Sequence, residues 1–234
     1  MSGIALYRFE PAKDDRILPL ANNQLWFSDP LTFNDPFDFY STPKDLIYRS
    51  GHDDEKFKEA VKVLFKEKSI YSEHRLFSDT SLRLINEWAI NSKIGLSEQV
   101  SSEIKSHYKS FGVQCFMKSV DIQLAWAHYA SSHHGFCIEY NFMPMKFAKN
   151  NLNLAQYHVN YVSKTPDICF SELLFSPHQA ISKFIATKSV DWSYEQELRL
   201  VNFEKKAQFV DMPEGIEIKK LIAGYKMSTE HRKL

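Results

Sequence analysis

Cysteine is scarce and poorly spaced for chemistry: Cys115, Cys137 and Cys169 are odd in number and far apart. That pattern suits neither a disulfide framework nor a zinc site, so the three read as reduced, mostly buried small hydrophobes. Glycine is scarce too, seven residues against 18 Phe, 11 Tyr and 4 Trp. Thick aromatic packing is expected, with few glycine-dependent tight turns. Net charge is absent, since Lys+Arg and Asp+Glu are both 29. No global field therefore draws the protein onto nucleic acid or an anionic membrane. No apolar run approaches the length of a spanning helix, and the opening Met-Ser-Gly-Ile-Ala-Leu-Tyr-Arg lacks the charged and apolar regions of a secretory signal. The cytoplasm is the default expectation, with no membrane partner. Neither a Gly-x-Gly-x-x-Gly fingerprint, a P-loop nor a Gly-x-Ser-x-Gly elbow occurs, which argues against Rossmann enzymes, P-loop NTPases and α/β-hydrolases.

What is present is an ordinary globular balance, 44% apolar and 25% charged over 234 residues, enough to bury a sizeable core. No repeat or linker interrupts it, so residues 1–234 are expected to form a single domain. Ile4–Phe9 reads as an opening strand, residues 11–23 as a turn and a short helix, and Leu25–Ser28 as a second strand. The two prolines and Asn-Asp pair of Asp29–Asp38 forbid regular structure there. From 54 to 110, apolar spacings of three and four (Phe57, Val61, Leu64; Leu82, Ile85, Ala89; Val100, Ile104) predict three helices, a central helical insert or layer. Strands are expected at Val113–Met117, Gly135–Phe142, Tyr157–Val162, Glu197–Phe203, Gln208–Asp211 and Ile216–Ala223. Helices are expected at Asp121–Ala130, with Ser119 or Asp121 as N-cap, and at Pro177–Thr187. The fold class is α+β, with a mostly antiparallel or mixed sheet built from the N- and C-terminal segments. Ser228-Thr229-Glu230 resembles a helix start, and a further C-terminal element is expected.

Four segments carry candidate chemistry. In Lys188–Arg199 (KSVDWSYEQELR), strand alternation would put Glu195, Glu197 and Arg199 on one face. Paired carboxylates there need a cation such as Arg199 or a ligand, and they read either as an ion-pair ladder or as a Glu-x-Glu catalytic pair. Arg8 sits in an apolar strand and needs a partner, a carboxylate or a phosphate. The loop at 28–38 offers Ser28, Asp29, Asn34, Asp35 and Asp38, framed by Trp26, Phe27, Phe33 and Phe37, as turn builders or, for Asp29, Asp35 and Asp38, as oxygen ligands. Trp126 and Tyr129, one helical turn apart, form either core or a stacking wall for a planar ring. His128, His133 and His134 lack metal-site spacing, and no metal is expected.

Taken in order, LYRF (Leu6–Phe9), LWFSDPLTFNDPFD (Leu25–Asp38), LAWAHYASSHHGFCIEY (Leu124–Tyr140) and KSVDWSYEQELRLV (Lys188–Val201) resemble the bacterial domain of unknown function family 2971 along nearly the whole chain. That resemblance implies no activity. The order of Arg8, then Ser28 or Tyr129, then Glu195-Gln196-Glu197 is also similar, more distantly, to ADP-ribosyltransferase-type folds, though no Ser-Thr-Ser strand motif occurs. This second resemblance implies NAD as cofactor. Arg8 would grip a phosphate or ribose, with Ser28 and Asn34 near the cofactor. Trp126 or Tyr129 would stack on nicotinamide, while Glu197 with Glu195 would bind ribose and stabilise an oxocarbenium-like transition state.

Three functions follow as expectations. One is an NAD-consuming ADP-ribosyltransferase-like enzyme in a toxin or phage-defence setting, acting on a protein or nucleic-acid target. Another is a non-enzymatic interaction or antitoxin-like regulatory module, whose aromatic residues anchor an interface. The last is a metal-dependent nuclease using Asp35, Asp38, Glu195 and Glu197.

Overall fold

The computed structural model describes residues 3–35, 38, 46, 47, 111–151, 153–164, 166, 168, 169, 182, 183 and 185–233. The helices expected between 54 and 110 lie outside these residues. In chain order the elements begin with β1 (Ile4–Glu10), α1 (Asp14–Ala21), β2 (Gln24–Phe27), β3 (Leu46–Ile47), β4 (Gly112–Phe116) and α2 (Gln123–His128). Next come β5 (Phe136–Phe142), α3 (Pro144–Asn150), β6 (Leu154–His158), β7 (Asn160–Val162) and β8 (Ile168–Cys169). The last are β9 (Thr187–Ser189), β10 (Leu198–Asn202), β11 (Gln208–Asp211) and β12 (Ile216–Ala223). The architecture is α+β. The chain divides into two compact units, one of residues 1–32, 111–159 and 190–234, the other of residues 33–110 and 160–189.

The first unit is antiparallel throughout its described strands. β5 lies between β1 and β12, and β10 lies between β4 and β6, while β2 pairs with β11. Isolated bridges link the sheets: Tyr7 with Met117 joins β1 to the end of β4, and Ser28 with Val113 joins the end of β2 to β4. Alternation explains how one strand serves two cores. The even positions of β1 and β5, Leu6 with Ile138, Tyr140 and Phe142, enter a cluster with Phe27, Phe116, Leu198 and Leu200. Phe9 and Cys137, at odd positions, enter a second cluster with Met117, Ala125, Trp126 and Ala130. With both faces covered, a purely two-faced polar pattern is lost, and β5 reads as a nearly continuous apolar run.

Most expected elements are where the sequence puts them, with three informative departures. The stretch Tyr157–Val162 is two strands rather than one, interrupted at Val159, whose amide donates to the carbonyl of Glu197. Neither Ser119 nor Asp121 caps α2. Ile122 occupies that position without a side-chain cap, and Ser119 Oγ instead accepts from the amide of Asp121 at 3.1 Å, closing the turn before the helix. At the end of the chain, Ser228 Oγ accepts from the amide of His231 at 3.3 Å and starts a single 3₁₀ turn, His231–Lys233.

In the second unit, β7 pairs parallel with β9, and β3 pairs parallel with β8. Of the helix expected at Pro177–Thr187, Ser182, Lys183 and Ile185 are helical, Thr187 already belongs to β9, and the remainder lies outside the described residues except for Ala186, which is a bend. Lys188 Nζ is 3.6 Å from Asp38 Oδ2 with both side chains buried. A buried charge is tolerable only with such a partner.

Candidate functional site

Arg8 points to the same face of β1 as Glu10, because residues two apart on a strand share a side. Its Nε donates to Glu10 Oε1 at 2.8 Å, and its Nη1 donates to the carbonyl of Cys115 at 3.2 Å. Burial opposes the charge on Arg8, but Glu10 more than offsets it, and the guanidinium is held protonated. Arg16, on α1, stands with its Nε 4.0 Å from the other oxygen of Glu10 and its guanidinium 5.0 Å from the ring of Trp26. One carboxylate thus faces two cations.

These side chains border a cleft with Gln114 and Tyr140, about 290 Å³ counted out to open solvent. Of this, only about 20 Å³ is open to the centre of a water, room for a single one. Gln114 Oε1 is buried there with no hydrogen-bond partner among the described residues. A buried acceptor left unsatisfied costs about 1–3 kcal/mol, so the spot favours a donor brought by solvent or ligand. Tyr140 sits at the base, its phenol pushed up by burial and then by Glu10, so it is a neutral hydroxyl at physiological pH. The cleft therefore offers guanidinium donors, a phenol and an amide beside the Trp26 and Phe209 rings.

Glu197 is placed differently. It forms a two-pronged pair with Arg199, Oε1 with Nε at 3.1 Å and Oε2 with Nη2 at 3.1 Å. Both side chains are sealed from solvent, at 2% and 0% exposure. Arg199 pairs across the sheet with Cys115, on the face of β4 opposite Gln114. Glu197 carries its charge close to the Cys115 thiol, and burial, then Glu197, push that thiol well above its usual value. Arg8 and Glu197 therefore both reach Cys115, but Glu197 does not line the cleft.

Glu195 is not on the strand. It ends a 3₁₀ turn, Val190–Glu195, and Gln196 takes a φ of 45° that breaks the alternation expected from Glu195 to Arg199. Glu195 is buried and accepts from the hydroxyl of Tyr129, the residue closing α2, at 2.6 Å. Trp126 is a core residue: its Nε1 donates to the carbonyl of Val120 at 2.8 Å, its ring edge meets Phe9, and His133 stacks on it at 5.4 Å and 8°. His128 lies instead against Trp192, and His134 Nδ1 is 2.9 Å from the carbonyl of Ser131.

In the 28–38 loop, Ser28 spends its backbone amide and carbonyl on Val113, both at 2.9 Å. Asp29 Oδ1 accepts from the amide of Leu31 while its Oδ2 meets Lys206 Nζ at 2.9 Å, a turn builder with a charge partner. Asn34 is exposed; Asp35 and Asp38 are buried. Among the described residues no group of three or more His, Cys, Asp or Glu is placed to hold a metal ion. Sequence reasoning missed Glu10, Arg16, Gln114 and Tyr140. The first was legible, an acid two residues beyond Arg8 on one strand face; the others needed the fold.

The chain is thus an α+β protein with a cation-rich cleft on an antiparallel sheet and a closed acid–guanidinium pair behind it. A family model described as "Protein of unknown function (DUF2971)" matches residues 125–200. That match holds Trp126, Tyr129, Glu195, Glu197 and Arg199 but is narrower than the resemblance read from the sequence, since the segments at 6–9 and 25–38 fall outside it. No curated protein and no solved structure matches the chain. No helix among the described residues is long and apolar enough to cross a membrane.

Proposed function

We propose that the chain binds a phosphorylated small molecule of nucleotide type, with NAD or its ADP-ribose part as the first candidate, and that Arg8 takes the phosphate. The observation that carries this is the Arg8 guanidinium opening onto a cleft where Arg16 supplies a second cation; Gln114 Oε1, without a partner among the described residues, would accept from a ligand hydroxyl. A guanidinium fork matches phosphate oxygens two at a time, and charge-assisted bonds of this kind are the strong ones. Glu10 holds the fork in place before the ligand arrives, which lowers the ordering cost of binding. The enclosed space holds no more than a water, so the phosphate would sit at the open rim of the cleft, within reach of Arg8 and Arg16. In this reading the protein is a binding or regulatory module, and Glu197 is a structural acid that neutralises Arg199.

A second reading, NAD cleavage of ADP-ribosyltransferase type, is favoured by one specific observation, the meeting of Arg8 and Glu197 on Cys115. It requires Glu197 to leave Arg199 and reach the ribose. Equilibrium dialysis against NAD, with nicotinamide release followed in the same samples, separates the two. Binding without release supports the module. Release that Glu197→Gln abolishes, in a variant still folded by circular dichroism, supports the enzyme. Neither binding nor release removes both.

A further inference from the structure

A second pocket lies elsewhere in the first unit, between α1, β12 and the last turn of the chain. It encloses about 340 Å³ and is lined by Ile17, Phe136, Leu221, Met227, His231 and Arg232, with Ala223 completing the wall. That volume falls within the usual range of small-molecule sites, whereas the about 20 Å³ of the Arg8 cleft does not. The lining is apolar except at one end, where His231 and Arg232 stand. Among the described residues no acidic side chain lines it.

The chemistry of Arg232 is informative. Its Nε donates to the carbonyl of Met227 at 3.1 Å, and its Nη2 donates to the carbonyls of Gly224 and Tyr225 at 3.1 and 3.2 Å. Three of the five guanidinium donors are spent on neutral acceptors, which fix the side chain without cancelling its charge. Both hydrogens of Nη1 have no partner among the described residues. His231 is likewise held by Ser228, at 2.9 Å.

We infer that this pocket is a binding site for a small amphipathic carboxylate, with its hydrocarbon or aromatic body against Ile17, Phe136 and Met227 and its carboxylate on Arg232 Nη1. The site is independent of the Arg8 cleft. A guanidinium fixed by backbone carbonyls, with Nη1 left to donate at the edge of an apolar hollow, suits a single charge-assisted bond to a carboxylate head on an apolar tail, and among the described residues no acidic side chain in the lining competes for it.

Isothermal titration of the full chain with octanoate and with 1-octanol tests this, with the Met227 methyl resonance as the local reporter. Octanoate is expected to bind and to shift that resonance, with octanol at least about tenfold weaker for want of the charge-assisted contact. Arg232→Gln is expected to bring octanoate down to the level of octanol. Because that change also removes three backbone contacts, Ala223→Phe serves as a second variant. It fills the pocket from an exposed strand position and is expected to abolish binding of both ligands with an unchanged melting temperature. Arg8→Gln is expected to leave octanoate binding intact, which keeps this site separate from the nucleotide reading. Failure of octanoate to bind, equal binding of octanoate and octanol, or binding undiminished in Ala223→Phe would each overturn the assignment.

Discussion

Arg8 and Glu197 both act on one residue, Cys115, the guanidinium by donating to its carbonyl at 3.2 Å and the carboxylate by the charge it holds near the thiol. They arrive differently: Arg8 shares the cleft with Gln114, while Glu197 is joined to Arg199 on the opposite face of β4. The thiol and the strand carrying it stand between a binding group and a structural acid. This separation is why the binding reading outranks the catalytic one.

The Glu197–Arg199 pair should behave as a buried ion pair. Glu197→Gln removes the carboxylate that pairs two-pronged with a sealed guanidinium and is expected to cost about 3–5 kcal/mol. Replacing both residues by leucine and methionine should cost much less than the sum of the two single changes. Urea denaturation of the four proteins gives the coupling, and additive losses would refute it.

Tyr129 and Glu195 make a separate, smaller contribution. Tyr129→Phe removes a hydroxyl donor from a buried carboxylate, with an expected loss of about 2 kcal/mol. The same measurement decides whether the contact is structural, since this variant should leave ligand affinity at the Arg8 cleft unchanged.

After α2 the backbone runs through three consecutive left-handed residues, Ser131, Ser132 and His133, with φ of 48°, 52° and 71°. Each costs a side-chain-bearing residue about 1–2 kcal/mol, part of which glycine would recover. Ser132→Gly is therefore expected to stabilise by about 0.5–1 kcal/mol, read as a rise in melting temperature. Gly224→Ala should do the reverse, because its methyl would meet the carbonyl of His133.

Alkaline pH should weaken the fold through its thiols. Burial pushes the Cys137 thiol up to about 12 from its usual 9.0, and Cys115 moves the same way. Below pH 9 folded and unfolded chains both keep the proton. Between 9 and 12 the unfolded chain loses it and the folded one does not, so stability is full below 9 and falls as pH rises. For Cys137 alone the slope is about 1.4 kcal/mol per pH unit. Denaturation at stepped pH should show this decline, shallower in Cys137→Ala. Iodoacetamide mapping at neutral pH should find both residues unmodified in the folded protein.

The strands and the short helices were legible because each buries an alternating or helical set of apolar residues, as Leu6 and Phe9 do on opposite faces of β1. Pairing of Glu197 with Arg199 was equally legible, two positions apart in an apolar strand. What escaped was local geometry that no periodicity encodes. Gln196 takes a left-handed φ and swings Glu195 off the strand towards Tyr129. Trp126, open in the sequence to either core or a stacking wall, is covered by His133, a residue brought back by the left-handed turn. Gln114 looks like any polar strand residue until β1, β2 and β5 close around it and leave its oxygen without a partner. Long-range assembly, not composition, makes the cleft.

Calorimetric titration of ADP-ribose into the wild type and Arg8→Gln, both verified as folded by thermal melts, tests the binding account most directly. Saturable one-to-one binding that weakens tenfold or more, about 1.4 kcal/mol, in Arg8→Gln is the predicted result. Equal affinity in the two proteins, or no heat with either, would contradict it.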